Sequence, residues 1–252
     1  MPDGEDAIDL AEALLDRSRL TAAPRRVSGY LDVSPADAPR PTGLSGAVNS
    51  SAAFAATYQR LWQPALLRMS GAGGTDVRDA QSELVRNLAR SRPHRMLDVG
   101  CGPGLHTVDL ATNLAAGGLA VGVDPAEAMV RRAASRNAGE GIAYVRGDVA
   151  ALPFADDTFD LVVSIGSLCV VEKPYRVVRE MVRVTAPGGR IAVFASLRTG
   201  WTVHVKPRTI RRLTGFHMFT YRELTEWLRA DGLTDIERAV QGQAQIVTAR
   251  KP

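Results

Sequence analysis

From Arg95 to the carboxyl terminus, short apolar runs alternate with longer segments whose apolar residues recur about every 3.6 positions. The runs 96–99, 120–123, 143–146, 161–165, 190–195, 235–239 and 245–249 read as strands. Between most of them the segments 105–115, 126–137, 175–185 and 222–231 read as helices. Strands alternating with helices of this length predict an α/β fold, a doubly wound parallel sheet with helices on both faces. The last two strands have no helix between them, so they are expected to add as an antiparallel edge hairpin to a mostly parallel, seven-stranded sheet. Ahead of this unit, residues 1–50 predict an N-terminal helix (5–19) followed by a proline-rich flexible linker. Residues 51–94 predict a helical cap, interrupted by Pro64 and by the "GAGGT" stretch.

In an open parallel sheet, ligands bind beyond the carboxyl ends of the strands. The first strand ends in "RMLDVGCGPGL", where Asp98 runs into Gly100, Gly102 and Gly104. Glycines at such a turn allow backbone to approach a ligand closely. The second strand closes at Asp124 and the third at Asp148. A carboxylate at the second strand end can accept both hydroxyls of a ribose, and one at the third can read an adenine amino group. An acid beside the glycines suits an ammonium group and disfavours a pyrophosphate. The spacing is also G-x-G-x-G rather than the dinucleotide G-x-G-x-x-G. Both features favour S-adenosylmethionine over a dinucleotide as the cofactor.

The stretches "MLDVGCGPG", "VGVDPAEAMVRRA", "GDVAALPFADDTFDLVVS" and "REMVRVTAPGGRIAVF" resemble successive motifs of class I S-adenosylmethionine-dependent methyltransferases. The resemblance is to the ubiquinone/menaquinone methyltransferase-like group, and it covers about residues 95–195 and, more weakly, the tail "FTYRELTEWLRADGL". It implies a Rossmann-like fold in residues 95–252 and a methyltransferase activity. It also implies that Asp98, Gly100, Gly102 and Gly104 line the methionine moiety, with Asp124 on the ribose and Met129 on the adenine face. Asp148 and the Val149 N–H would meet the adenine edge, Ile165 and Gly166 the sulfonium, and Tyr58 would close over the cofactor.

Related enzymes often carry histidines after the fourth strand; here the stretch is "LCVVEKP", with Cys169 and Val170 at those positions. Candidates for a general base therefore come from elsewhere: His106 after the glycine turn, and His204 and His217 in an insertion at about 197–220 that would form an acceptor lid. That insertion also carries Arg198, Lys206, Arg208, Arg211 and Arg212, with Trp201, Phe216 and Phe219 among them. Such a cluster suits an acidic substrate or transient contact with anionic headgroups at a membrane surface. It would also suit RNA.

The formal charge of +4 comes from arginines scattered along the chain, with only three lysines, and a scattered distribution argues against a nucleic-acid footprint. No run reaches the ~18–20 apolar residues that a membrane span needs. The acidic start "MPDGEDAIDL" lacks a signal pattern, which points to the cytoplasm. Two cysteines make neither a zinc site nor a disulfide framework, so no metal is expected. The reading is a methyltransferase acting on carbon or oxygen of a small, hydrophobic acceptor that is quinone-, polyketide- or lipid-like. An RNA base methyltransferase and a non-catalytic, cofactor-binding partner subunit are its alternatives.

Overall fold

The computed structural model describes residues 4–35, 87–88, 92–205, 209, 211 and 216–252, without the side chains of residues 4, 5 and 201. Helix α1 (Gly4–Ala13) leads into a hairpin of β1 (Arg25–Val27) and β2 (Tyr30–Asp32). Then follow β3 (Arg95–Val99), α2 (Leu105–Ala111), β4 (Leu119–Asp124), α3 (Glu127–Arg136), β5 (Ile142–Arg146) and β6 (Phe159–Ile165). The chain ends with α4 (Pro174–Val184), β7 (Thr185–Ser196), a 3-10 turn (Gly200–His204), α5 (Glu223–Ala230), β8 (Thr234–Gln241) and β9 (Ala244–Arg250).

The strands form one sheet in the order β1-β2-β5-β4-β3-β6-β7-β9-β8. From β2 across to β7 every pairing is parallel. β9 and β8 add antiparallel at one edge, as the missing helix between them predicts, and β1 is antiparallel at the other. The chain moves from β3 outward through β4 to β5, then returns to the far side of β3 as β6. This reversal makes β3 and β6 neighbours at the topological switch point, where open α/β sheets bind ligands.

Two expectations need correction. Among the described residues the sheet has nine strands rather than seven, and the extra pair lies in the stretch read as flexible linker. A two-residue turn, Ser28-Gly29, joins β1 to β2; both residues have positive φ (45° and 84°), which suits the twist of a tight hairpin. β2 is wholly buried: Tyr30 and Leu31 join the core, and Asp32 accepts from Arg25 at 2.8 Å and from Arg146 at 3.1 Å. Pairing on both sides removes the cost of burying that carboxylate alone. The helical cap expected over residues 51–94, and Tyr58 with it, falls almost wholly outside the described residues.

Side-chain alternation along the strands divides the core into two faces. Leu97, Val99, Val121, Val123 and Val145 face α1, α4 and α5. Met96, Ala120, Tyr144, Leu161 and Val163 face α2 and α3. Helix α4 shows why it packs so: Val177, Val178, Met181, Val182 and Val184 make one buried stripe, and Pro174 at its first turn fits the position where no N–H is needed. No helix joins β5 to β6; α1 packs over β4 and β5 on that face instead.

Candidate active site

Period-two alternation puts Asp98 on the α2 side of β3, two residues after Met96, and burial of the apolar residues around it carries it inside. It is 2% exposed and accepts from Thr107 Oγ1 at 2.7 Å. Asp124 closes β4 on the same face. Its Oδ1 accepts from Ala126 N–H at 2.8 Å and its Oδ2 from Gly102 N–H at 3.0 Å. A carboxylate offers about four acceptor positions, so one on each oxygen is left after these two bonds.

Burial pushes the Asp98 carboxyl up to about 7; the Thr107 hydrogen bond opposes the rise and the nearby Asp124 charge adds to it. Burial likewise raises Asp124 to about 6, against the two backbone N–H groups it accepts. Two carboxyls this close and this dry are costly to ionise together and call for a cation.

The glycine turn between them is held from several sides. Gly100 and Cys101 N–H donate to Val123 O, and Asn137 Nδ2 donates to Pro103 O at 2.5 Å. Tyr144 Oη donates to Asn137 O at 2.9 Å beneath Gly104. The three glycines do different things. A Cβ on Gly100 would lie 2.3 Å from Ser167 Cβ, and one on Gly104 would lie 2.4 Å from Tyr144 Oη. Gly102 has φ +55° and, among the described residues, nothing within 4 Å in the Cβ direction. The first and third glycines therefore permit close packing, and the middle one borders open space beside Asp124.

Across the switch point, Ser167 Oγ donates to Val99 O at 2.9 Å and accepts from Ser164 Oγ at 2.6 Å, tying the end of β6 to the end of β3. Ile165 and Gly166 close β6 there, half-buried. Met129 is buried in the first turn of α3. Asp148 is exposed just past β5 and turns its Oδ1 onto Ala150 N–H at 2.8 Å, while Val149 is buried. The structure thus brings Asp98, Gly100, Gly102, Gly104 and Asp124 into one connected group, with Met129, Asp148, Val149 and Ile165 on neighbouring elements of the same sheet edge.

The three histidines separate. His106 lies in the first turn of α2 with Nδ1 buried and without a partner, and burial lowers its pKa. His204 is exposed at the end of the 3-10 turn. His217 is half-buried, with Nε2 3.0 Å from Glu223 Oε1. Cys169 is half-buried, its thiol donates to Gly166 O, and desolvation pushes it up to about 12, which suits a packing role rather than a nucleophile.

The basic cluster of the 197–220 insertion is partly committed to structure. Arg198 donates to Thr202 O, Val203 O and Val205 O at 3.0, 3.0 and 2.7 Å, and Arg211 donates to Glu172 O at 2.9 Å. Phe219 is fully buried in the core. Lys206, Arg208 and Arg212 lie outside the described residues. Thr107, Asn137, Tyr144, Ser167 and Glu223 are site-forming residues that sequence reasoning missed.

A methyltransferase-domain family profile matches residues 97–193, the span from the first acid to β7. The malonyl-[acyl-carrier protein] O-methyltransferase of Methylococcus capsulatus is 32% identical over 198 residues, covering 73% of this chain and 70% of that protein. The chain belongs to the class I S-adenosylmethionine-dependent methyltransferases. Another member, the demethylmenaquinone methyltransferase of Clavibacter sepedonicus, is 32% identical over 60% of this methyltransferase and 70% of its own length. A solved S-adenosylmethionine-dependent methyltransferase from Mesorhizobium loti shares the fold, with a TM-score of 0.57 at 21% identity, covering 67% of this chain and 96% of that one.

S-adenosylmethionine is accordingly the methyltransferase's cofactor. The residues present fit it: among the described residues Gly102 borders open space, Asp124 keeps two acceptor positions, and Asp98 is a buried acid with no ion-pair partner. Among the described residues no group of His, Cys, Asp or Glu is arranged to hold a metal, and no helix is long and apolar enough to cross a membrane.

Proposed function

We propose that this methyltransferase methylates carbon or oxygen of a small, hydrophobic acceptor of quinone-, polyketide- or lipid-like chemistry. In this reading the acceptor sits over the carboxyl ends of β6 and β7, beneath the 197–220 insertion. The observation that carries the cofactor half is the open Cβ direction at Gly102 beside a two-point-anchored Asp124. The names of the relatives, one for demethylmenaquinone and one for a malonyl carrier, support a small acceptor. The RNA alternative loses support because Arg198 is spent on three carbonyls and Phe219 is in the core.

The cofactor supplies an electrophilic methyl on a sulfonium. Asp98, Gly100, Gly102 and Gly104 would receive its methionine part, Asp124 the ribose, Met129 and Asp148 the adenine with Val149 N–H, and Ile165 the region beside sulfur; Tyr58, which the family resemblance would add, lies outside the described residues. Transfer needs the accepting atom in line within ~3–3.5 Å, so positioning by these rigid strand ends supplies much of the acceleration. The test is transfer of labelled methyl to a panel of short-chain quinols, phenols, fatty acyl thioesters and an unmodified RNA. Product only on RNA would overturn the small-acceptor reading.

Cofactor binding should also be linked to protons. Asp98 and Asp124 have raised carboxyls, so the empty folded chain holds protons that an unfolded chain releases near 4. Their contribution to stability is full below that value and is lost as pH rises through about 6 and 7. An arriving cation favours the ionised carboxyls and expels those protons. Affinity is therefore expected to strengthen between pH 5.5 and 7.5, with net proton release near pH 7. Calorimetry in two buffers of different ionisation enthalpy reads that release, and identical heats in both would contradict it.

A further inference from the structure

The backbone of His217 bridges the two strands that end at the proposed acceptor seat. Its N–H donates to Cys169 O at 2.7 Å, just past β6, and its carbonyl accepts from Ser196 Oγ at 3.0 Å, the last residue of β7. The ring packs against Phe219, with centroids 4.5 Å apart. Glu223, at the start of α5, holds Nε2 at 3.0 Å with Oε1 and accepts Thr220 N–H at 3.0 Å with Oε2. Burial alone would raise the Glu223 carboxyl, but the bonds from His217 and Thr220 bring it below its ordinary value, so it is the acceptor. That assigns the proton to Nε2 and leaves Nδ1 as the basic nitrogen. The side chain is still 18% exposed.

Resting on the cofactor reading above, we propose that His217 Nδ1 is the general base of the transfer, that Glu223 is its positioning residue, and that the acceptor group is a neutral hydroxyl. The bonds balance without a further reactant. The hydroxyl oxygen forms a bond to the methyl carbon as the carbon–sulfur bond breaks, and that electron pair neutralises the sulfonium to a thioether. The hydroxyl proton passes to Nδ1, and the imidazolium later returns it to water. Arg198 and Arg211, described residues of the 197–220 insertion, donate to backbone carbonyls. A neutral hydroxyl carries the proton that a base such as Nδ1 removes, whereas an acceptor that arrives ionised has none to give up.

The first test needs no acceptor. Protein carrying 13C-labelled histidine is saturated in turn with S-adenosylmethionine and S-adenosylhomocysteine, which differ only by the methyl and its charge. The ring resonance that disappears in His217→Asn should differ between the two complexes. Coincident resonances, with calorimetry showing both ligands bound, would overturn the proposal; failure of either ligand to bind would instead sink the cofactor reading. The second test uses simple phenols and the matching benzoates as probes. Phenols should be methylated and benzoates not. His217→Asn should lower kcat by roughly a hundredfold, and Glu223→Gln by about tenfold with KM unchanged. The Glu223→Gln loss should be partly restored by Glu223→Asp, while cofactor affinity stays level throughout. Transfer to benzoates in preference to phenols, or wild-type kcat in either variant, would contradict it.

Discussion

Asp124→Ala is expected to weaken S-adenosylmethionine binding by roughly a hundredfold, the loss of charge-assisted hydrogen bonds worth about 1.5–3 kcal/mol each before water replaces part of them. Two effects act together. The variant loses the acceptor positions proposed for the ribose, and it leaves the N–H groups of Gly102 and Ala126 without the oxygens they now bind. Asp124→Asn separates them, because the amide keeps one acceptor oxygen and loses the charge; it should fall between wild type and Asp124→Ala. Calorimetry reads both variants directly. An unchanged affinity in Asp124→Ala would remove the ribose assignment.

A second large contrast is expected within the glycine turn. Gly100→Ala forces a Cβ to 2.3 Å from Ser167 Cβ at φ +75°, and Gly104→Ala forces one to 2.4 Å from Tyr144 Oη at φ +82°. Clash and strained backbone each cost of order 1–3 kcal/mol, so both variants should lose about 3 kcal/mol or more of stability. Gly102→Ala meets no atom of the described residues and pays only the left-handed backbone, about 1–2 kcal/mol. It should stay folded and yet bind the cofactor poorly, because the methyl fills the seat. Denaturation midpoints beside calorimetric affinities would show the crossing pattern. A Gly102→Ala protein with full affinity would mean that this glycine does not face the cofactor.

Much of this site is legible in the chain because its signals are local. The turn "DVGCGPG" announces a backbone conformation, and Asp98 and Asp124 close apolar runs that read as strands in any context. The supports are less visible because they come from far along the chain. Tyr144 lies 40 residues from Gly104, Ser167 lies 68 from Val99, and only the folded sheet makes either pair meet. Hydrophobic periodicity reports which face of an element is buried and is silent on which partner it finds.

The β1–β2 hairpin is a different failure. "RRVSGYLDV" holds a Ser-Gly turn between two β-compatible runs, a signal that the surrounding prolines outweighed. The carboxylate behind His217 also had a trace in sequence: "TYRE" carries the Thr-x-x-Glu spacing of a helix start, with Glu223 reaching back to Thr220 N–H. Nothing local says that the same carboxylate turns its other oxygen to a histidine six residues upstream. Arg198 shows the converse, a residue whose charge suggested a ligand and whose geometry clamps the carbonyls of the adjoining 3-10 turn.

The central claim is that the acids and glycines at the ends of β3 and β4 seat a cationic nucleoside. Isothermal titration of the full chain with S-adenosylmethionine, S-adenosylhomocysteine and NAD in parallel tests it most directly. Micromolar binding of both sulfur nucleosides with no heat from NAD is the predicted result. Binding of NAD alone would contradict the reading of Asp98 and Asp124, and the mechanism built on them would fall with it.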